Sequence, residues 1–500
     1  MNNNYISEIL LNYKLIKPEI SLIICIFLNI FMLFLEKNKK SNISIFTSML
    51  FTLIAIFFSF KNILFFQNQN IEFAQINLFK DLYVINKESS FLKMLIFIAL
   101  FFIHYFSFFI SERKNFINKF AIAEISILLN LSCLGAICAI SSRNFISLYL
   151  SIELQAISSY MLVILKRNSS TSSEAALKYF VLGVISSSIM LFGISFIYFA
   201  FESFSFEQIY NNIISHKTHI TGSDIIFSKL AMIGIVMLFF GLFFKLSAFP
   251  FHSWLPDLYQ ASSNIVVGFF AIIPKIMSAY IIFVLYHYVF LDKYFDINTK
   301  IISIISILSI LVGSFSAIKQ KNFKRILAYS GIANSGFILV AILGKSDFAI
   351  NSMNIYFFSY IIAFFCLLCF AMFFWDENSD EKENCDISHI HGIAKKHKII
   401  SIMIAFSLFS IAGIPPFIGF FGKYQIIMSG FSNFQIIPII IALFGSLVSL
   451  IYYLGLLKIM YFSNFNNKEL NKNNRSNEYI KFILFFGIMT ILSCGFLFFI

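Results

Sequence analysis

Residues 241–252 read Gly241-Leu-Phe-Phe-Lys245-Leu-Ser-Ala-Phe-Pro250-Phe-His252, and residues 411–423 read Ile411-Ala-Gly-Ile-Pro415-Pro416-Phe-Ile-Gly-Phe-Phe-Gly-Lys423. Each is an apolar run with one lysine close to a proline. Proline removes a backbone donor and breaks a helix. In a membrane, a broken helix persists only where protein or water satisfies the freed backbone groups. A lysine at that depth costs on the order of 2.5–3.5 kcal/mol even on lenient insertion scales. Both features together, twice in one chain, predict a polytopic helical membrane protein whose seventh and twelfth helices are broken. The two runs lie five helices apart. An odd number of helices per unit inverts the second copy relative to the first, as in transporters built from inverted repeats.

The flanking sequence agrees. Of 500 residues, 59% are apolar and only 12% charged, about half the charged share of a soluble domain. A soluble enzyme, a nucleic-acid-binding domain and a disordered chain are therefore excluded. The apolar runs are continuous and roughly twice as long as the strands of a membrane barrel. About 14 of them reach the roughly 20 residues that a spanning helix needs. The expected architecture is all-α. Three transmembrane helices occupy 1–117, and a first five-helix unit (helices 4–8) occupies 118–291. A second, inverted unit (helices 9–13) occupies 299–460, and a fourteenth helix 476–500. No cleavable signal peptide is expected, because the first apolar run starts only near Glu19.

The net charge of +12 comes from short basic clusters between runs, which is the pattern of cytoplasmic loops and not of a nucleic-acid surface. Such clusters are Lys37, Lys39 and Lys40; Arg113, Lys114 and Lys119; Lys319, Lys321, Lys324 and Arg325; Lys395, Lys396 and Lys398. The positive-inside rule puts them in the cytoplasm and both termini outside. The link 376–398 reads as a cytoplasmic loop with room for a helix along the membrane. The seven Cys are scattered, and Cys366 and Cys369 lie inside an apolar run as two small side chains one turn apart. There is no G-x-G-x-x-G, P-loop or iron–sulfur spacing, so this chain is expected to carry no cofactor and no metal.

Six charges fall inside apolar runs: Glu124, Glu153, Lys178, Lys245, Lys275 and Lys423. Interhelical pairing or snorkelling competes as an explanation. It is strongest for Glu124 and Lys178 near helix ends, and weakest for Lys245, Lys275 and Lys423. The chemical reading is a proton relay. Desolvation favours the neutral amine of a lysine and a nearby carboxylate favours the ammonium, so moving the carboxylate loads or unloads a proton. Glu153 and Lys245 suit such a switch, with Lys275 as receiver, Lys423 as outlet and water bridging the gaps. In this reading Lys423→Glu is milder than Lys423→Ala. Five of the seven Pro fall in these helices: Pro250, Pro274, Pro415, Pro416 and Pro438. His252 fits either the relay or packing, His104 reads as a satisfied core histidine, and His287 as interfacial.

Several stretches carry a family resemblance. Phe244 to Gln260, with its Pro256-Asp257-Leu-Tyr259-Gln260 ending, resembles the helix 7 signature of the antiporter-like membrane subunits of respiratory complex I. It is closer to the N-type branch (subunit 2 in mitochondria) than to the L or M type. Ala271 to Lys275, Gln320 to Ser330, Gly413 to Lys423, and Ser151-Ile-Glu153-Leu are similar to the helix 8, 9–10 loop, helix 12 and helix 5 segments. The resemblance implies a proton-translocating subunit of NADH:quinone oxidoreductase. Glu153 and Lys245 would be the coupled pair, Lys275 the central relay, Lys423 the outlet, and Glu124 and Lys178 auxiliary. It also implies NADH, FMN, iron–sulfur clusters and quinone in partner subunits. Subunit M and the small K/J-type subunits would be the neighbours, in a bacterial inner membrane rather than a mitochondrial one. Two departures stand out. Ala261-Ser262-Ser263-Asn264 replaces the usual Gly-Ala-Pro, and Asn334 stands where many relatives have His.

Three other classes compete. A cation/proton antiporter subunit of the multi-subunit type shares the fold, but the Tyr259-Gln260 ending argues against it. A passive scaffold would not need six intramembrane charges beside Pro breaks. A lipid-carrier flippase would line a large cavity with Arg and Lys, whereas here the titratable residues are few and strung along one line.

Overall fold

The computed structural model describes residues 12–35, 43–68, 75–79, 81–111, 120–165, 170–215, 222–290, 295–375, 385–463, 481 and 483–489. In chain order the helices are α1 (Lys17–Leu35), α2 (Ile43–Asn68), α3 (Lys87–Ser111), α4 (Phe120–Ser141), α5 (Phe145–Ile164), α6 (Ser170–Phe201) and α7 (Phe206–Ser215). They continue with α8 (Gly222–Leu246), α9 (Trp254–Ala261), α10 (Asn264–Val284), α11 (Phe295–Ile318), α12 (Phe323–Ile342), α13 (Ser346–Phe374), α14 (Lys398–Ala412), α15 (Ile418–Ser432) and α16 (Ile436–Phe462). Among the described residues, 11 helices are long and apolar enough to cross a bilayer. The expected fourteenth helix lies largely outside the described residues, though 483–489 are helical. Helix starts are set by ordinary capping chemistry: Asn144 and Asn322 each accept a backbone N–H from the first turn of α5 and α12.

The breaks fall where the prolines predict. α8 stops at Leu246, and Ser247 takes a left-handed φ of 58° before the Pro250 turn. α14 stops at Ala412, and Gly413 takes φ 83° before Pro415 and Pro416. Gly413 N–H bonds the Phe409 carbonyl at 3.0 Å and Ile414 N–H does the same at 3.0 Å, so the last turn is closed. The other two of the five prolines named above break nothing. Pro438 is the third residue of α16, where a missing donor has no intrahelical partner to lose. Pro274 sits inside a continuous α10, whose most apolar window is wholly buried in protein, the setting in which freed backbone groups can be re-satisfied. α10 then widens into a π turn, Leu285–Val289. The described part of the 376–398 link holds two 3₁₀ turns, Ile387–Ile390 and Ile393–Lys395, and no α-helix along a membrane; residues 376–384 are outside the described residues.

The described residues form two compact units. The first contains those of 1–167, 176–245 and 272–298. Here β1 (Ile76–Leu78) and β2 (Tyr83–Ile85) make an antiparallel hairpin that the sequence reading did not anticipate. Tyr83 on β2 donates to Glu19 Oε1 at 2.7 Å, and Lys93 Nζ donates to the same oxygen at 2.7 Å and to the Tyr83 hydroxyl at 3.1 Å. Lys93 and Glu19 are 2% and 4% exposed, so neither charge is solvated. A second buried set ties four helices: His104 Nε2 bonds Asn130 Oδ1 at 2.8 Å, and Asn130 and Asn29 both donate to Ser48 Oγ, at 3.0 and 2.8 Å. Lys93→Met leaves the Glu19 carboxylate buried without its cation, which costs about 3–5 kcal/mol. The thermal midpoint of the purified protein in detergent should fall sharply, and Glu19→Gln added to Lys93→Met should recover most of the loss.

The second unit contains the described residues of 168–175, 246–271 and 299–500. A polar clamp joins α9 to the start of α12. Arg325 Nη1 donates to Asp257 at 2.8 Å and to Gln260 at 3.0 Å, and its Nε donates to Gln320 at 3.1 Å. Lys324, 5% exposed, donates to the Ser262 carbonyl at 2.9 Å. The Pro256-to-Gln260 and Gln320-to-Arg325 segments are thus two halves of one contact. The departure at Ser262-Ser263 is a short link in extended backbone, with its carbonyl spent on Lys324.

Candidate functional site

Glu153 sits mid-way along α5, and Lys245 in the last turn of α8. A helix C-terminus carries partial negative charge and favours a cation, so breaking the seventh helix just after Lys245 gives its ammonium a favourable end to sit at. Lys245 is 4% exposed and its Nζ has no hydrogen-bond partner. The ammonium faces the Tyr160 ring, 5.6 Å from its centroid, a cation–π contact. The half-buried Glu153 carboxylate lies within electrostatic reach of Lys245, and its Oε1 is buried without a partner. The amide of Gln155 and the hydroxyl of Tyr160 are buried and unpartnered as well. Buried polar atoms are nearly always hydrogen-bonded, to protein or to ordered water. Three of these groups, Lys245, Glu153 and Tyr160, lie within reach of one another on α5 and α8. Gly183 on α6 lets Tyr160 come this close, since a methyl there would collide with the Tyr160 hydroxyl.

Lys275 is 2% exposed on α10, in the same unit as Glu153 and Lys245. Lys423 is in the second unit, 6% exposed on α15. Its Nζ donates to the Ala412 carbonyl at 2.9 Å and to Ser449 Oγ at 3.4 Å, and it lies 5.1 Å from the Phe337 ring centroid. Ala412 is the last residue of α14, so this ammonium also sits at the negative end of a half-helix. Its stem runs over Gly413, where a Cβ would stand 2.8 Å from Lys423 Cδ. The break thus supplies both the acceptor and the room for the side chain.

The remaining predicted residues are less central. Glu124 is half-buried in the first turns of α4, and Lys178 projects from an exposed face of α6. His252 is half-buried in the turn after α8, with its ring stacked on Phe249 at 5.5 Å. Asn334 is 5% exposed and its amide nitrogen is unpartnered. Sequence reasoning missed the Glu19–Lys93–Tyr83 set and the buried tyrosines of the second unit. Among the described residues, no group of three or more His, Cys, Asp or Glu is placed to hold a metal ion.

Residues 142–451 match the family described as NADH:quinone oxidoreductase/Mrp antiporter, TM. NADH-quinone oxidoreductase subunit N of Rickettsia prowazekii is 38% identical over 304 residues, which cover 61% of this chain and 64% of that one, just under two thirds of its length. Subunit N of Pelagibacter ubique is 35% identical over 422 residues, 83% of this chain and 82% of that one. Among solved structures, a chain of respiratory complex I from Thermus thermophilus superposes with TM-score 0.74 at 20% identity, over 95% of this chain and 96% of that one. A chain of the membrane-bound sulfane sulfur reductase, an archaeal respiratory membrane complex, superposes with TM-score 0.78 at 21% identity, over 96% and 94%. At these identities the superpositions establish the fold.

Proposed function

Because the chain belongs to the NADH:quinone oxidoreductase/Mrp antiporter family of membrane subunits, we propose that it is the N-type proton-translocating subunit of a proton-pumping NADH:quinone oxidoreductase. The redox chemistry sits elsewhere. NADH, FMN, iron–sulfur clusters and quinone belong to partner subunits, and this chain contributes the proton path. Its neighbours are an antiporter-like subunit of the M type and small K/J-type subunits, in a bacterial inner membrane. The antiporter alternative shares the family, but the curated relatives described above are subunit N proteins.

The observation that carries this reading is a buried, unbonded Lys245 at the end of a broken helix with a carboxylate in electrostatic reach. A charge so placed is held by two things, the half-helix end and Glu153. When the carboxylate swings away, desolvation favours the neutral amine and the proton leaves. In the transfer order, Lys275 receives it next and Lys423 is the outlet. The segments 118–291 and 299–460, each with a broken helix, supply the two inverted halves.

Purification from native membranes tests the assignment. The chain should co-migrate with NADH dehydrogenase activity. Migration apart from it, with cation/proton exchange that needs no NADH, would replace this reading with the antiporter.

A further inference from the structure

From Ile387 to Ser463 the sequence holds no Asp or Glu, and its lysines other than the buried Lys423 are Lys395, Lys396, Lys398 and Lys458. Those four are all exposed. The fold brings them to one edge. Gly392 N–H donates to the Ile459 carbonyl at 3.1 Å, which ties the turn preceding α14 to the last turns of α16. Next to this basic edge, α14 and α16 leave a recess of about 820 Å³ between them. Ile402, Phe406 and Phe409 line it from α14, at the spacing of a single helix face. Leu454, Gly455 and Lys458 line it from α16, with Tyr461 close to one turn further on. Gly455 keeps the recess open. A Cβ there would meet nothing within 4 Å, whereas Gly445 on the same helix is pressed against Ile310. All of these residues belong to the second unit.

The recess has the size of a small-molecule site, roughly 300–1,000 Å³, and the same make-up: apolar walls with a few polar groups at one end. The amines at that end have no carboxylate in their own segment to neutralise them. The nearest acid in sequence, Asp386, spends an oxygen on the Ser388 N–H at 3.0 Å. The charge therefore suits an anion, and the walls suit hydrocarbon. In a bilayer, the molecule that offers both is an anionic phospholipid. We propose that the α14–α16 recess holds one as a resident lipid. An acyl chain lies along Phe406, Phe409 and Gly455, and the phosphate meets Lys458 with the Lys395–Lys398 cluster behind it. Lysine stems lie on apolar surface and lift the ammonium to headgroup level, and a tyrosine at the interface does the same with its hydroxyl. The basic clusters place this edge on the cytoplasmic side, where basic recesses between helices take up anionic headgroups. A zwitterionic lipid fills the walls equally well but brings a cation of its own to the amines, so the site selects by headgroup charge. This inference rests on the membrane-spanning fold and not on the proton-translocating reading.

The test uses the protein purified from native membranes with its partners, stripped of lipid in detergent and titrated with phosphatidylglycerol or phosphatidylcholine under native mass spectrometry. One phosphatidylglycerol held by the unmodified chain should be lost from Gly455→Phe, which fills the recess. That variant should weaken both lipids at this site at least about tenfold, the worth of two or three buried methylenes. Lys458→Gln should weaken phosphatidylglycerol about fivefold, what one basic residue near an anionic headgroup contributes, and leave phosphatidylcholine unchanged. Equal affinity of the unmodified site for the two lipids, or unchanged binding in both variants, overturns the proposal. If Gly455→Phe does not fold, Lys458→Gln decides by its loss of lipid selectivity. Occupancy in the membrane is read with p-benzoylphenylalanine in place of Phe406. Illumination should give an adduct of phospholipid mass. An adduct with another protein would show that the recess is a protein interface and would overturn the lipid.

Discussion

Lys245→Ala is expected to stop NADH-driven proton translocation through this subunit while the complex still assembles. The size of the effect follows from what the alanine removes. A positioned proton carrier contributes roughly 10²–10⁴-fold to a transfer step. Assembly should survive because the Lys245 ammonium makes no hydrogen bond and the carboxylate it leaves behind, Glu153, is only half-buried. Glu153→Gln should also be severe, since it keeps the shape of the side chain and removes the charge that acts on Lys245. If the two groups work as one switch, Lys245→Ala combined with Glu153→Gln should be no worse than Lys245→Ala alone, because residues that act as a unit are not additive. Proton-to-electron stoichiometry in vesicles decides the matter. A normal ratio in both single variants would sink the relay.

What the sequence made legible is what costs most in a bilayer. Lys245, Lys423, Pro250 and Pro415 were readable because each is expensive in isolation and so needs a local remedy. Pro274 shows the limit of that argument. The residue type is the same, but burial on every side of α10 leaves the helix continuous, and burial is a tertiary fact. Lys324 counts as a loop cation in any tally of positive charge, yet it is buried and spent on the Ser262 carbonyl. Glu19 and Lys93 stand at the ends of apolar runs, where a charge looks free to reach water, and they are 74 positions apart. Lys178 could not be assigned a face, because α6 is apolar all round and has no stripe to set a direction.

Lys423→Glu separates two views of the second broken helix. Judged by titration alone it is the gentler change, because Glu also carries protons. The surroundings of Lys423 argue the opposite. They are the Ala412 carbonyl at a helix C-terminus, a serine hydroxyl and the face of an aromatic ring. A carbonyl offers only lone pairs, the helix end is negative, and the ring face is negative too. Each stabilises an ammonium and repels a carboxylate, and only Ser449 can turn to donate. Moreover Ser449 Oγ already donates to the Ser446 carbonyl at 2.6 Å. A glutamate here would be held neutral as an acid or driven out of the site, and in neither state does it cycle between charges. Lys423→Glu is therefore expected to lose as much pumping as Lys423→Ala, at least about tenfold by the same proton-transfer magnitudes. Lys423→Arg should load the site with a charge it cannot release, since guanidinium does not deprotonate in proteins, and should be equally inactive. Pumping by Lys423→Glu close to the unmodified rate would show that the half-helix end does not select for a cation. The case for a proton outlet at the α14 break would then have to rest on titration alone.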